Sequence, residues 1–196
     1  MEQLLRDAGR RHEFFVAQRP QQITELAQRA AAAAVRDDGA VIVAGGDGTI
    51  NTAATATLDT GRPFGIVPQG TFNYSSRAHC IPLETIAATR ALLDGRIKPI
   101  QVGMINDRVF LVNASIGLYP ELLQDREAWK EKFGRNRLVA FWAGIMTLLH
   151  YRQQLHLEIE YDNERERIRT PTLFVGNNPL QLEQVGLPEV EAVQNR

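Results

Sequence analysis

An apolar run, Val41 to Ala44, leads directly into Gly45-Gly46-Asp47-Gly48-Thr49 and then into a stretch that reads as helix. A strand, a glycine turn and a helix N-terminus gather backbone amides around one point, and the helix adds the positive end of its dipole. Glycines at 45, 46 and 48 open backbone angles closed to other residues and leave no Cβ between those amides and a bound anion. A carboxylate in such a loop repels bare phosphate, but a divalent cation can bridge it to phosphate oxygens. Asp47 therefore points to a metal–nucleotide complex.

The same order recurs downstream. Phe64 to Val67 is a second short apolar strand, followed at once by Pro68-Gln69-Gly70-Thr71-Phe72-Asn73. Strands apolar throughout that alternate with helices predict a parallel sheet covered on both faces. Ligands of such sheets sit beyond the strand C-termini, where both loops lie, so the loops are expected to converge on one site. Around them, Leu4 and Leu5 close a helix stopped at Gly9, and His12 to Ala17 is expected as a strand. Pro20 suits a first helical turn, and Ile23, Leu26, Ala27 and Ala30 carry helical spacing up to Asp37-Asp38-Gly39. Thr49 to Leu58 and Leu83 to Leu93 are further helices.

Beyond residue 95 the pattern changes. Ile97 to Met104 and Val109 to Ser115 flank Asn106-Asp107-Arg108, a polar turn suited to a hairpin. Tyr119 to Phe133 and Leu138 to Tyr151 have helical spacing, whereas Leu155, Leu157, Ile159 and Tyr161 alternate with charged or polar residues, the period of a half-buried strand. Asn163-Glu164 offers a turn before Arg165 to Val175 returns. The fold class is α/β: residues 1–95 form a parallel-sheet nucleotide-binding lobe, and residues 96–196 an incomplete, antiparallel β-rich lobe.

Composition narrows the function classes. With 22 basic and 23 acidic residues the net charge is −1, so nothing draws the whole chain to nucleic acid. Cys80 is the single cysteine, which excludes an internal disulfide and suits a reducing compartment. The N-terminal residues lack a signal-peptide core, and Leu138 to Leu149 falls short of the roughly 20 residues a membrane span needs. A cytoplasmic protein is expected. Arg126, Lys130, Lys132, Arg135 and Arg137, interleaved with Trp129 and Phe133, suggest peripheral contact with an anionic membrane, against the plainer reading of a solvated helix face. His12, His79, His150 and His156 show no metal-ligand spacing.

Gly45 to Asn51, then Pro68 to Asn73, Arg77 and Ile81-Pro82, in that order, resemble the diacylglycerol kinase catalytic-domain family, which includes bacterial lipid kinases and sphingosine kinases. Phe110 to Gly117 is similar to that family's F-x-N-x-x-x-G strand, and Val175-Gly176-Asn177 to its V-x-N turn. Thr52 stands where a glutamate is common, Tyr74 where the pattern has an acid, and Ser76 where it has alanine.

The resemblance implies a two-lobed kinase that transfers the γ-phosphate of ATP to the hydroxyl of a lipid, diacylglycerol or similar. It implies ATP and Mg2+ as cofactors. Gly45, Gly46, Asp47, Gly48, Thr49, Ile50, Asn51 and Thr52 would surround the nucleotide together with Gly70, Thr71 and Asn73, with Asp47 nearest the magnesium and the catalytic centre. It also implies a first strand and phosphate loop before residue 1 and a glutamate general base beyond residue 196. The chain is accordingly expected to be a truncated form with little turnover, since a missing general base removes on the order of a hundredfold of rate. The alternatives are a NAD kinase-like enzyme, which shares the Gly45 to Thr49 pattern, and a non-catalytic fragment that binds nucleotide or a partner. Oligomeric state and the identity of the lipid stay open.

Overall fold

The computed structural model describes residues 1–117, 154–161 and 164–177. The helices expected at 119–133 and 138–151, the basic stretch 126–137 and the turn at 163 lie outside them. The chain divides into two compact units, Met1–Asn113 with Gly176–Arg196, and Ala114–Val175.

The first unit is built on a parallel strand pair. After a short helix, α1 (Glu2–Asp7), and a 3-10 turn at Pro20–Gln22, α2 (Ile23–Arg36) runs into β1 (Val41–Gly45). α3 (Asp47–Leu58) then crosses over to β2 (Phe64–Pro68), which pairs with β1 from Val41 opposite Phe64 to Gly45 opposite Pro68. Val43 and Ile66 share one face of this pair and are buried with Ala27, Ile50, Ala53 and Ala54 of α2 and α3. Alanine at 27, 31 and 34 forms a small-residue stripe on α2, which lets that helix lie close against its neighbours. Ile50 is completely buried and contributes about 2–3 kcal/mol through its apolar surface.

On the other face lies α5 (Thr85–Asp94): a β-carbon added at Gly65 would come 2.7 Å from Leu92 Cδ2. Helices thus cover both faces, as the apolar strands predict, although Ile42 of β1 stays 40 % exposed. α5 begins at Glu84, whose carboxylate accepts hydrogen bonds from the amides of Ile86 (3.0 Å) and Ala87 (2.8 Å), satisfying donors that every helix start leaves open.

Two expectations meet differences. Residues 12–17 form no strand; Phe14 and Val16 are exposed, and the segment pairs with no described strand. The strands expected at 97–104 and 109–115 are shorter, β3 (Gly103–Ile105), β4 (Arg108–Phe110) and β5 (Asn113–Gly117). β3 and β4 do form the hairpin around Asn106-Asp107, with Asn106 at φ 50°. From Val109 the chain is fastened to α3 instead: the Val109 amide donates to Thr55 Oγ1 at 3.1 Å and the Leu111 amide to Asn51 Oδ1 at 3.2 Å.

In the second unit β6 (Leu155–Tyr161) and β7 (Glu164–Thr170) are antiparallel, and β5 pairs with β8 (Thr172–Gly176). The β6–β7 register sets Glu158 opposite Arg167 and Glu160 opposite Arg165, an exposed ladder of opposite charges, while half-buried Leu157 faces Ile168. This is the alternation read from the sequence.

Candidate functional site

Both loops leave the same end of the β1–β2 pair, and glycine lets them touch. A β-carbon added at Gly70 would stand 2.7 Å from Gly46 Cα and 2.9 Å from Asn73 Oδ1; one added at Gly46 would stand 3.2 Å from Gly70 Cα. Any side chain at Gly70 would push the loops apart. The Gln69 amide also donates to Gly45 O at 2.9 Å, extending the strand pairing into the loops.

The first loop opens α3. Gly46 is its N-cap in extended conformation, and the first bond of the helix runs from the Ile50 amide to Gly46 O at 3.0 Å. The amides of Asp47, Gly48 and Thr49 find no acceptor among the described residues, and no side chain caps this end. Three aligned donors at the positive end of a 12-residue helix make an anion site in the making.

Asp47 does not close that end. Its carboxylate instead accepts from the amides of Ser75 (Oδ1, 3.2 Å) and Tyr74 (Oδ2, 3.3 Å), the first residues of α4 (Tyr74–Ala78). The acid of the first loop thus caps the short helix that follows the second. Each oxygen keeps a further lone pair, so the carboxylate can still meet a cation.

The second loop is closed upon itself. Asn73, buried and left-handed at φ 52°, accepts from the Gly70 amide at 2.8 Å and donates from Nδ2 to Gly70 O at 2.8 Å. Asparagine tolerates that backbone conformation because its short amide bonds locally. Between these anchors Thr71 and Phe72 are held outward and exposed. Phe72 stacks on Tyr74 with ring centroids 5.5 Å apart and planes 10° from parallel.

The residues singled out from the sequence therefore divide. Gly46 and Asp47 approach Gly70 where the two loops touch, Gly45 pairs with Pro68, Gly48 and Thr49 follow in the first turn of α3, and in the second loop Asn73 is bonded to Gly70 while Thr71 is exposed. Ile50 lies in the core, Thr52 Oγ1 donates to Gly48 O at 3.1 Å, and the Asn51 side chain is engaged with Leu111. The capping role of Asp47 and the Phe72–Tyr74 stack are additions of the structure, since neither has a local sequence signal. Asn177 adds a further tie: its amide donates to Val112 O at 2.8 Å and its Nδ2 to Gln101 O at 3.2 Å. The hydroxyls of Ser75 and Ser76 are buried without a hydrogen-bond partner.

Among the described residues no three His, Cys, Asp or Glu side chains cluster to hold a metal, and no helix is long and apolar enough to cross a membrane. A single carboxylate suits Mg2+ only in company with phosphate oxygens, which is how that ion is held in nucleotide sites.

The diacylglycerol kinase catalytic domain matches residues 1–105, just over half of the chain, and the protein belongs to that family. It is 36 % identical over 136 residues to a diacylglycerol kinase of Bacillus subtilis (strain 168), covering 67 % of this chain and 44 % of that protein. It is 30 % identical over 153 residues to a YegS-like lipid kinase of Cronobacter sakazakii, covering 75 % and 47 %. The chain thus spans less than half the length of these relatives. A crystal structure of a diacylglycerol kinase from Bacillus anthracis str. Sterne shares the fold, with TM-score 0.62 at 24 % identity over 89 % of this chain and 56 % of that one.

Proposed function

We propose that this chain forms the nucleotide-holding part of an ATP-dependent lipid kinase that phosphorylates the hydroxyl of diacylglycerol or a similar lipid. The observation that carries the reading is the glycine-to-glycine contact of Gly46 with Gly70, which sets a second loop beside the uncapped amides of α3. Family membership supports the lipid acceptor, as the B. subtilis and C. sakazakii relatives are named for lipid kinases.

In this reading the amides of Asp47, Gly48 and Thr49 donate to phosphate oxygens, and Gly46 and Gly70 admit the phosphate chain closely. The exposed Thr71 hydroxyl donates from the opposite side, and Asp47 offers its remaining lone pairs to the cation. Bound there, Mg-ATP supplies the phosphoryl group, and the cation offsets its negative charge. Phosphoryl transfer asks the protein mainly for positioned donors, so a rigid cradle of amides accounts for much of what the chain must contribute. In this reading the nucleotide is held within residues 1–95 and the lipid within residues 96–196. Because the lipid lies in a bilayer, the protein works at the inner face of the membrane.

Incubating the chain with γ-labelled ATP, Mg2+ and either diacylglycerol vesicles or NAD tests this. Mg-ATP binding is expected, with slow transfer at most, and any label transferred is expected in the lipid and not in NAD. Label in NAD would replace the proposal with a NAD kinase-like activity, and absence of label together with absence of Mg-ATP binding would leave a non-catalytic interaction module.

A further inference from the structure

Phe72 is 60 % exposed, yet it is not loose. One face lies on Tyr74, and Tyr74 is itself packed against the core cluster of Ile50 and Ala53, with its amide held by Asp47. Asn73, the residue between them in the sequence, is locked to Gly70 by a pair of hydrogen bonds. The remaining face of Phe72 is therefore presented to solvent on a fixed support. Leaving a large apolar ring exposed forgoes burial worth about 25 cal/mol per Å², so a ring held this way is available to a ligand.

Position indicates which ligand. Phe72 is two residues from Gly70, so its Cα lies within about 7 Å of the point where Gly70 meets Gly46 and the α3 amides begin. An acyl chain needs a concave apolar wall, whereas a flat ring with one open face, a short step from an anion cradle, matches a planar base joined to phosphates. We infer that Phe72, backed by Tyr74, is the stacking platform for the nucleobase of the bound nucleotide. The inference rests on the phosphate-cradle reading above and adds to it the place of the base. Stacking on an aromatic face is tolerant of base identity, so the platform favours nucleotides over inorganic polyphosphate without choosing strongly among purines.

The test compares Mg-ATP with magnesium tripolyphosphate, which keeps the phosphates and lacks the base, by calorimetric titration of the full chain. Phe72→Ala is expected to weaken ATP by about five- to a hundredfold and to leave tripolyphosphate unchanged. Phe72→Trp is expected to retain ATP affinity, and its added indole fluorescence, read as a difference from wild type, to be quenched by ATP and not by tripolyphosphate. If Phe72→Ala leaves ATP affinity intact, or weakens only binding to diacylglycerol vesicles, the platform is refuted while the cradle stands. If the wild-type chain binds neither ATP nor tripolyphosphate, the cradle falls and the platform with it.

Discussion

The two glycine loops begin alike and end differently. Each follows a strand of the same parallel pair and each runs into a helix, but α4 meets an anion at its N-terminus, the carboxylate of Asp47, whereas α3 meets none among the described residues. The second loop also uses its own amide at Gly70 to bind Asn73. One helix start has been spent on structure and the other left open. The lesson is that strand–loop–helix geometry creates the potential for binding an anion, and the neighbouring side chains decide whether the protein or a ligand supplies it.

This contrast breaks most thoroughly when the open helix loses its anchor. Ile50→Ala removes a fully buried side chain one turn into α3 and is expected to destabilise the chain by about 2–5 kcal/mol in urea unfolding. A loss below 1 kcal/mol would show that α3 does not depend on the core beneath it.

Gly70→Ala comes next. The added methyl would meet Gly46 Cα and Asn73 Oδ1, so an overpacking loss of about 1–3 kcal/mol is expected, along with weaker Mg-ATP binding. Normal stability and affinity in this variant would mean that the loops need not touch.

Asp47 separates the capping role from the cation role. Asp47→Ala strands the amides of Tyr74 and Ser75, for an expected loss of about 1–3 kcal/mol, while Asp47→Asn keeps an acceptor and should lose less. Both variants should lose the magnesium dependence of nucleotide binding. Equal stability of the two variants would overturn the cap.

Ser76→Ala sharpens the picture of α4 from the other direction. Its hydroxyl is buried and unpartnered, so removing it should stabilise the chain by about 1 kcal/mol. The smallest effect is a pH dependence at α5, where hydrogen bonds from the amides of Ile86 and then Ala87 hold the Glu84 carboxyl below its ordinary value of 4.5. Since the folded pKa is the lower one, the cap's contribution is complete above that value and is lost as pH falls through the folded pKa. The gap in thermal midpoint between wild type and Glu84→Gln should therefore narrow as pH falls below 4.5. A constant gap would show that the charge of Glu84 adds nothing to the cap.

Much of the first unit is legible in the residues. β1, α3 and β2 follow from apolar runs and glycine turns, and the helix at Ile23–Arg36 from its spacing, because these signals act over a few residues. The expected strand at 12–17 was not, because a strand is stable only beside a partner and no local pattern supplies one. At the site, Gly46 and Gly70 could be named from the loops they occupy. That Asn51 turns to Leu111 and Thr55 to Val109 could not, since these bonds join residues 60 and 54 positions apart.

The amino-acid order alone thus determined the β1–α3–β2 unit, where amides gather, and the family the motifs resemble. Only the packed chain decided that Asp47 serves α4, that Asn73 closes its own loop, and that Phe72 faces outward on Tyr74. The physical reason is range. Backbone preference and hydrophobic period are properties of neighbours along the chain, whereas the use of a carboxylate or a ring depends on which groups compete for it after distant segments have met.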